Sequence, residues 1–106
     1  LDTRIGKIVS SVAECGRIDC KELWESLEFY LRFRKRLRTG TIVDLACGHG
    51  LVGILFAALE QRVERVVFVD RARPASHEAL IDAVSAEGCA PWVRGKSTFV
   101  AESLGV

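Results

Sequence analysis

Residues 41–53, Thr-Ile-Val-Asp-Leu-Ala-Cys-Gly-His-Gly-Leu-Val-Gly, constrain what this chain can fold into more than any other stretch. Thr41 to Leu45 are β-branched or apolar apart from Asp44, which is the composition of a buried strand. Gly48, Gly50 and Gly53 follow, and without a Cβ they let the backbone turn sharply and pass close to a ligand. From Leu51 onward Ile54, Leu55, Ala58 and Leu59 recur at helical spacing. A strand, a glycine turn and a helix start, in that order, predict a cofactor site.

The rest of the chain supplies the elements around that turn. Ile5, Ile8, Val9 and Val12 share one helical face over residues 3–15, and Gly16 is placed to stop the helix. A second helix opens at Ile18-Asp19-Cys20-Lys21-Glu22-Leu23, where Asp19 can cap, Glu22 completes a capping box and Ile18 can staple to Leu23. The spacing carries this helix to about Arg36 or Leu37, with Leu23, Leu27, Tyr30 and Leu31 inward and Trp24 and Phe33 on the flanks. After the glycines the helix fades at Glu60-Gln61-Arg62. Arg65 to Asp70 is then a near-continuous apolar run that suits a parallel strand covered on both faces. Pro74 suits the first turn of a helix over residues 75–87, with Leu80, Ile81 and Val84 inward and Gly88 closing it. Pro91 and Gly95 break residues 90–96 into a connector with room for one helical turn, which Trp92 is expected to pack down. Ser97 to Glu102 read as a third strand. Helix, helix, strand, helix, strand, helix, strand is an α/β pattern with a parallel sheet, divided into a helical lead-in at 1–38 and a strand-bearing part at 39–106.

Composition narrows the function less than the motif does. A chain of 106 residues is one domain at most, and its 49% hydrophobic content with mean hydropathy +0.20 supplies a core and argues against disorder. The apolar runs fall far short of a bilayer span and no stretch has the build of a signal peptide, so the expectation is a cytoplasmic chain with no membrane contact. The first residue is Leu1, not Met, which reads as a cut or processed end. Cys15, Cys20, Cys47 and Cys89 have neither zinc-ligand nor CxxC spacing, so four reduced, mostly buried thiols are expected. Fifteen basic residues against fourteen acidic ones give a formal net charge of +1, and any preference for an anionic partner must be local. The one basic cluster is Arg32, Arg34, Lys35, Arg36 and Arg38. Bases near a helix C-terminus complement its dipole, and that is the stronger reading; a contact surface for RNA or another anionic partner is the weaker one.

In an open parallel sheet, ligands bind beyond the carboxyl ends of the strands. That rule gathers Asp44 and the glycine turn, Asp70, and Glu102-Ser103. Asp70 has the two acceptor oxygens needed for both hydroxyls of a ribose. Asp44-Leu-Ala-Cys-Gly48-His-Gly50 resembles motif I of the class I S-adenosylmethionine-dependent methyltransferases. Val67-Phe-Val-Asp70 resembles their motif II, and Phe99-Val-Ala-Glu-Ser103 their third strand. The resemblance covers about three quarters of the chain and implies the first half of a Rossmann-like core, with three strands in the order 3-2-1 and a two-helix lead-in. It implies S-adenosyl-L-methionine as cofactor, held by Asp44, Ala46, Cys47, Gly48, His49, Gly50, Asp70, Arg71, Glu102 and Ser103. Two departures are Ala46, where many members have a glycine, and Ser103, where an Asp is common. The second leaves the adenine contact open between Ser103, Glu102 and the backbone.

The main competitor is a nicotinamide or flavin site, because Gly48-x-Gly50-x-x-Gly53 also satisfies the dinucleotide fingerprint and Asp70 lies at a suitable distance. Asp44 separates the two: a carboxylate just before the turn repels a pyrophosphate but suits the cationic amino group and sulfonium of S-adenosylmethionine. Within the turn, His49 reads as a variable turn residue, and Cys47 has no sequence neighbour that would activate it as a nucleophile. His77 has no evident partner and reads as surface. In the family, the residues that position the methyl acceptor usually follow a fourth strand. The expectation is therefore an N-terminal portion of a larger methyltransferase acting on RNA, protein or a small molecule, binding cofactor weakly and inactive by itself. A non-catalytic module that kept the fold for interaction is the further alternative.

Overall fold

The computed structural model describes residues 3–103. Its elements are α1 (Thr3–Cys15), α2 (Cys20–Phe33), β1 (Gly40–Leu45), α3 (Leu51–Leu59), β2 (Val63–Asp70), α4 (Ala75–Val84), α5 (Val93–Lys96) and β3 (Ser97–Ala101). The three strands form one parallel sheet ordered β1-β2-β3. Val43 pairs with Val67 and Val67 with Thr98, and Asp44, Phe68 and Phe99 lie in one row.

The helices pack on one face of this sheet. α3 is the most enclosed, with eight of its nine residues buried. Val66 and Phe68 point toward it, and the ring of α4's His77 lies against Phe68 and Phe99 on the same side. α2 closes the flank of α3 through an edge-on contact between the rings of Tyr30 and Phe56, 5.0 Å between centroids. Ile5, Ile8 and Val12 of α1 join the same core. The opposite face is bare at its edges: Val43 is 54% and Leu45 62% exposed, and Val100 is also exposed. The apolar run of β2 is thus backed by helices on one side, not on both. β1 has no strand partner along its outer edge among the described residues.

Local chemistry explains most element boundaries. Asp19 Oδ1 accepts the Glu22 N–H at 2.8 Å, so the expected N-cap of α2 is present. The helix nevertheless ends at Phe33, short of Arg36, because Arg36 and Leu37 both bond back to the Phe33 carbonyl and turn the chain toward β1. The shortened helix buries Leu27 and Tyr30 and leaves Leu23 half-buried, but it exposes Leu31, which the spacing places in the inward stripe. α4 likewise stops at Val84; Gly88, at φ +87°, serves the turn that follows the helix and not its end. Pro74 is the N-cap of α4, its carbonyl accepting the His77 N–H.

In the connector Val93 and Ala90 are the buried anchors. Trp92 is half-exposed, its indole N–H donating to the Ala58 carbonyl at 3.1 Å. Lys96 donates to the Ala57 and Glu60 carbonyls at the C-terminal end of α3, where a cation satisfies carbonyls that lack helical partners. The four cysteines are free thiols, as expected, but none is fully buried and Cys20 is exposed. No helix among the described residues is long and apolar enough to cross a membrane.

Gly53 shows how tightly α3 lies on β2. A Cβ there would come within 2.5 Å of Phe68 Cε1 and 3.0 Å of Val66 Cγ1, both on fully buried side chains. Glycine to alanine within a helix ordinarily gains about 1 kcal/mol of propensity. Here overpacking against a ring that cannot move costs about 1 to 3 kcal/mol and outweighs it. Gly53→Ala is expected to lower stability in urea titrations; an increase would show that α3 stands further from the sheet.

Candidate functional site

The glycine turn lies where the sequence places it, between the carboxyl end of β1 and the start of α3. Its conformation is fixed by the end of β2. The Cys47 N–H donates to the Val69 carbonyl at 3.0 Å, and the Gly50 N–H closes the turn on the Cys47 carbonyl at 2.9 Å. Asp70 Oδ2 accepts the Gly48 N–H at 2.9 Å, and Oδ1 accepts the Arg71 N–H at 2.7 Å. These two donors hold the Asp70 carboxyl below the usual carboxylate range. The Asp70 carbonyl in turn accepts the Glu102 N–H at 2.8 Å, which brings the end of β3 to the same place. Asp70 is therefore the hub of the site, and each carboxylate oxygen keeps acceptor capacity beyond the N–H it holds.

The three glycines have different jobs. Gly48, at φ +55°, has nothing within 4 Å of the position a Cβ would occupy and faces open space. Gly50, at φ +77°, is the N-cap of α3, and a Cβ on it would fall 2.5 Å from His77 Nδ1. Gly53 faces Phe68. Of the three expected to let a ligand approach, only Gly48 is open; Gly50 and Gly53 admit other parts of the protein. Ala46 is also left-handed, at φ +53°, a conformation that costs a non-glycine residue about 1 to 2 kcal/mol. This is a physical reason for glycine to be favoured at that position.

His77 is not a surface residue. It is 1% exposed, stacked on Phe68 with ring centroids 4.5 Å apart. Its Nδ1 lies 2.9 Å from the His49 carbonyl, which can only accept, so Nδ1 carries the proton and donates. The sequence held a signal for this: His77, Leu80, Ile81 and Val84 stand at i, i+3, i+4 and i+7 of one buried face. His49 is tied down as well. Its Nδ1 is 2.5 Å from Ser76 Oγ, and its Nε2 is 3.5 Å from Glu22 Oε1. Glu22 thus reaches from α2 to the turn, a contact that its capping role in the sequence concealed. Glu22, Ser76 and His77 are the site neighbours that sequence reasoning missed.

Asp44 lies on the helix-facing side of β1, half-buried, and accepts a hydrogen bond from the Gly53 backbone N–H. Burial, with a smaller contribution from the negative charge of Asp70, raises its carboxyl above the usual range. Burial and the negative charges of Asp44 and Asp70 push the Cys47 thiol up to about 11, so it is protonated at neutral pH and unsuited to nucleophilic attack. Arg71, Glu102 and Ser103 are exposed at the strand ends beside Asp70. Of the basic cluster after α2, Arg34 pairs with Glu60 at 3.2 Å at the opposite pole of the sheet, away from this turn. No group of three or more residues fit to hold a metal ion occurs among the described residues. No family model, curated protein or solved structure matches the chain.

Two titrations follow. Burial lowers the pKa of His77 below that of a free imidazole, so the folded chain binds a proton there less readily than the unfolded chain. Its stabilising effect is complete above the unfolded value of about 6.5 and is lost progressively as pH falls toward the folded value. His77→Asn keeps a donor near the Nδ1 position without a titrating ring. The fall in urea stability between about pH 7.5 and 5.5, the range around the free imidazole value, should be smaller in this variant than in the parent. Equal falls would mean that His77 does not titrate with folding. For Asp44 the sign is reversed. A raised carboxylate penalises the folded state above its folded pKa, and the penalty disappears below the unfolded value of about 3.9. Asp44→Asn is expected to stabilise the ligand-free chain at neutral pH and to lose that advantage at about pH 3.5. Destabilisation at neutral pH would show that the charge itself is needed by the fold.

Proposed function

We propose that the glycine turn and the strand ends around it bind S-adenosyl-L-methionine, and that the chain is the cofactor-binding part of a methyltransferase. The observation that carries this reading is the pairing of Asp70 with the Gly48 N–H. It joins the ends of two neighbouring parallel strands into one polar, open cradle at the position where α/β sheets bind ligands. Asp70 would hold the ribose hydroxyls, Gly48 and its neighbours Ala46, Cys47 and His49 the methionine portion, and Glu102 or Ser103 the adenine. The Gly50 backbone shapes the turn instead of lining it. When bound, the cofactor supplies an electrophilic methyl group on sulfur; the residues here bind and orient it.

Electrostatics favour this cofactor over a dinucleotide. Asp44 and Asp70 put two carboxylates at the turn, close enough for Asp70 to raise the pKa of Asp44. A pyrophosphate would meet both charges, whereas a cationic amino group and sulfonium are attracted by them. Gly53 decides nothing between the two, since close helix–strand packing at the third glycine is common to both kinds of site. The bare sheet face at Val43, Leu45 and Val100, with the unpaired edge of β1, supports a larger Rossmann-like sheet in which further strands and helices cover these residues. The methyl acceptor would then be recognised mostly by those parts.

Isothermal titration tests the reading. S-adenosylhomocysteine is expected to give weak, saturable heat and NAD none; heat from NAD alone would overturn the assignment. Asp70→Ala removes both the ribose acceptor and the anchor of Gly48. It should weaken S-adenosylhomocysteine binding by about 1.5 to 3 kcal/mol, the usual range for a hydrogen bond to a charged group. Unchanged affinity would remove Asp70 from the site.

A further inference from the structure

We propose that Arg34, Arg38 and Arg62, with Arg4 beside them, form a phosphate-binding site at the pole of the sheet opposite the glycine turn. The four arginines, with Glu60 and Gln61, surround a surface depression of about 310 Å³. They come from α1, the end of α2, the segment before β1 and the segment before β2, so only the fold assembles them. Leaving Arg4 aside, three positive charges, Arg34, Arg38 and Arg62, meet one negative charge, Glu60, among the residues that line the depression.

The negative charge is already engaged. Glu60 is buried, accepts the Tyr30 hydroxyl and pairs with Arg34 at 3.2 Å. Arg38 and Arg62 are exposed and have no ion-pair partner among the described residues. Helix-dipole compensation does not account for Arg38 either. α2 ends at Phe33, five residues earlier, and the dipole acts within the last turn. The backbone holds the two segments together, with the Gly40 N–H donating to the Arg62 carbonyl at 3.0 Å. Guanidinium groups gathered this way repel one another, and a bound anion relieves that repulsion. Their planar forks match the oxygens of phosphate in pairs.

The shared chemistry is a phosphate group, offered either by single-stranded RNA or by a free phosphate compound. The site stands independently of the cofactor assignment. The test measures fluorescence anisotropy with a labelled single-stranded RNA dodecamer and calorimetry with inorganic pyrophosphate. It compares the parent chain with the double variant Arg38→Gln/Arg62→Gln. Both side chains are exposed, so the thermal transition should be retained. The double variant is expected to bind the recognised probe at least tenfold more weakly. If that probe is RNA, the slope of log affinity against log salt should become shallower by about 1.4, because two fewer phosphates of a single strand are neutralised. Arg94→Gln, which removes a surface arginine paired with Asp82, should leave binding unchanged. Binding of RNA without pyrophosphate supports a site for the nucleic-acid backbone, and saturable pyrophosphate binding supports one for a free phosphate compound. Failure of the parent to bind either, or full retention of binding by the double variant, overturns the proposal.

Discussion

The close approach of α3 to β2 is the contact on which the rest of the structure depends. Gly50 and Gly53 are the two points where a side chain would hold the helix away, and Phe68 and His77 fill the space that their missing Cβ atoms leave. Once the helix is seated, its N-terminus lies at the carboxyl end of the sheet and the turn before it falls within reach of Asp70. The Asp70 carboxylate then fastens Gly48, and its carbonyl fastens Glu102, so three strand ends converge through one residue. Interiors packed to the density of crystals transmit such placements with little slack. A helix displaced outward would loosen the turn before any ligand was involved.

A second consequence is the division of the molecule into unlike surfaces. Helices cover one face of the sheet, and apolar side chains of β1 and β3 stay open on the other. Polar chemistry is divided between the two ends of the strands. The carboxyl ends gather Asp44, Asp70 and Glu102, while the opposite pole gathers Arg4, Arg34, Arg38 and Arg62. A whole-chain charge near zero conceals this polarity, because it averages an acidic end and a basic end. Electrostatics separates the proposed cofactor site from the proposed phosphate site: cations are drawn to one and anions to the other.

Much of the fold was legible in the sequence because local rules and tertiary demands agreed. The cap at Asp19 and the buried positions of α4 sit where propensity and pattern put them, whereas β1, whose composition reads as a buried strand, alternates half-buried and exposed positions because helices cover only one face of the sheet. Disagreements arose where a distant segment set the outcome. α2 gave up its last turn because the chain had to reach β1, which exposed Leu31. Trp92, large enough to seem an anchor, yielded that role to Val93 and kept only its indole hydrogen bond. His77 read as surface although it shared the apolar spacing of Leu80 and Ile81, since a lone imidazole has no assignable partner until the His49 carbonyl is brought to it.

The sequence by itself determined the local elements: a strand, a glycine turn and a helix in immediate succession, an acidic residue before the turn and another at the end of the next strand. These follow from backbone freedom at glycine and from residue spacing, which act over a few positions. The tertiary structure decided what each residue does. It left Gly48 open and turned Gly50 and Gly53 against the core, made Asp70 a structural hub as well as a ligand candidate, and drew four arginines from distant segments into one depression. Those outcomes depend on contacts between residues far apart in the chain, which no local pattern encodes.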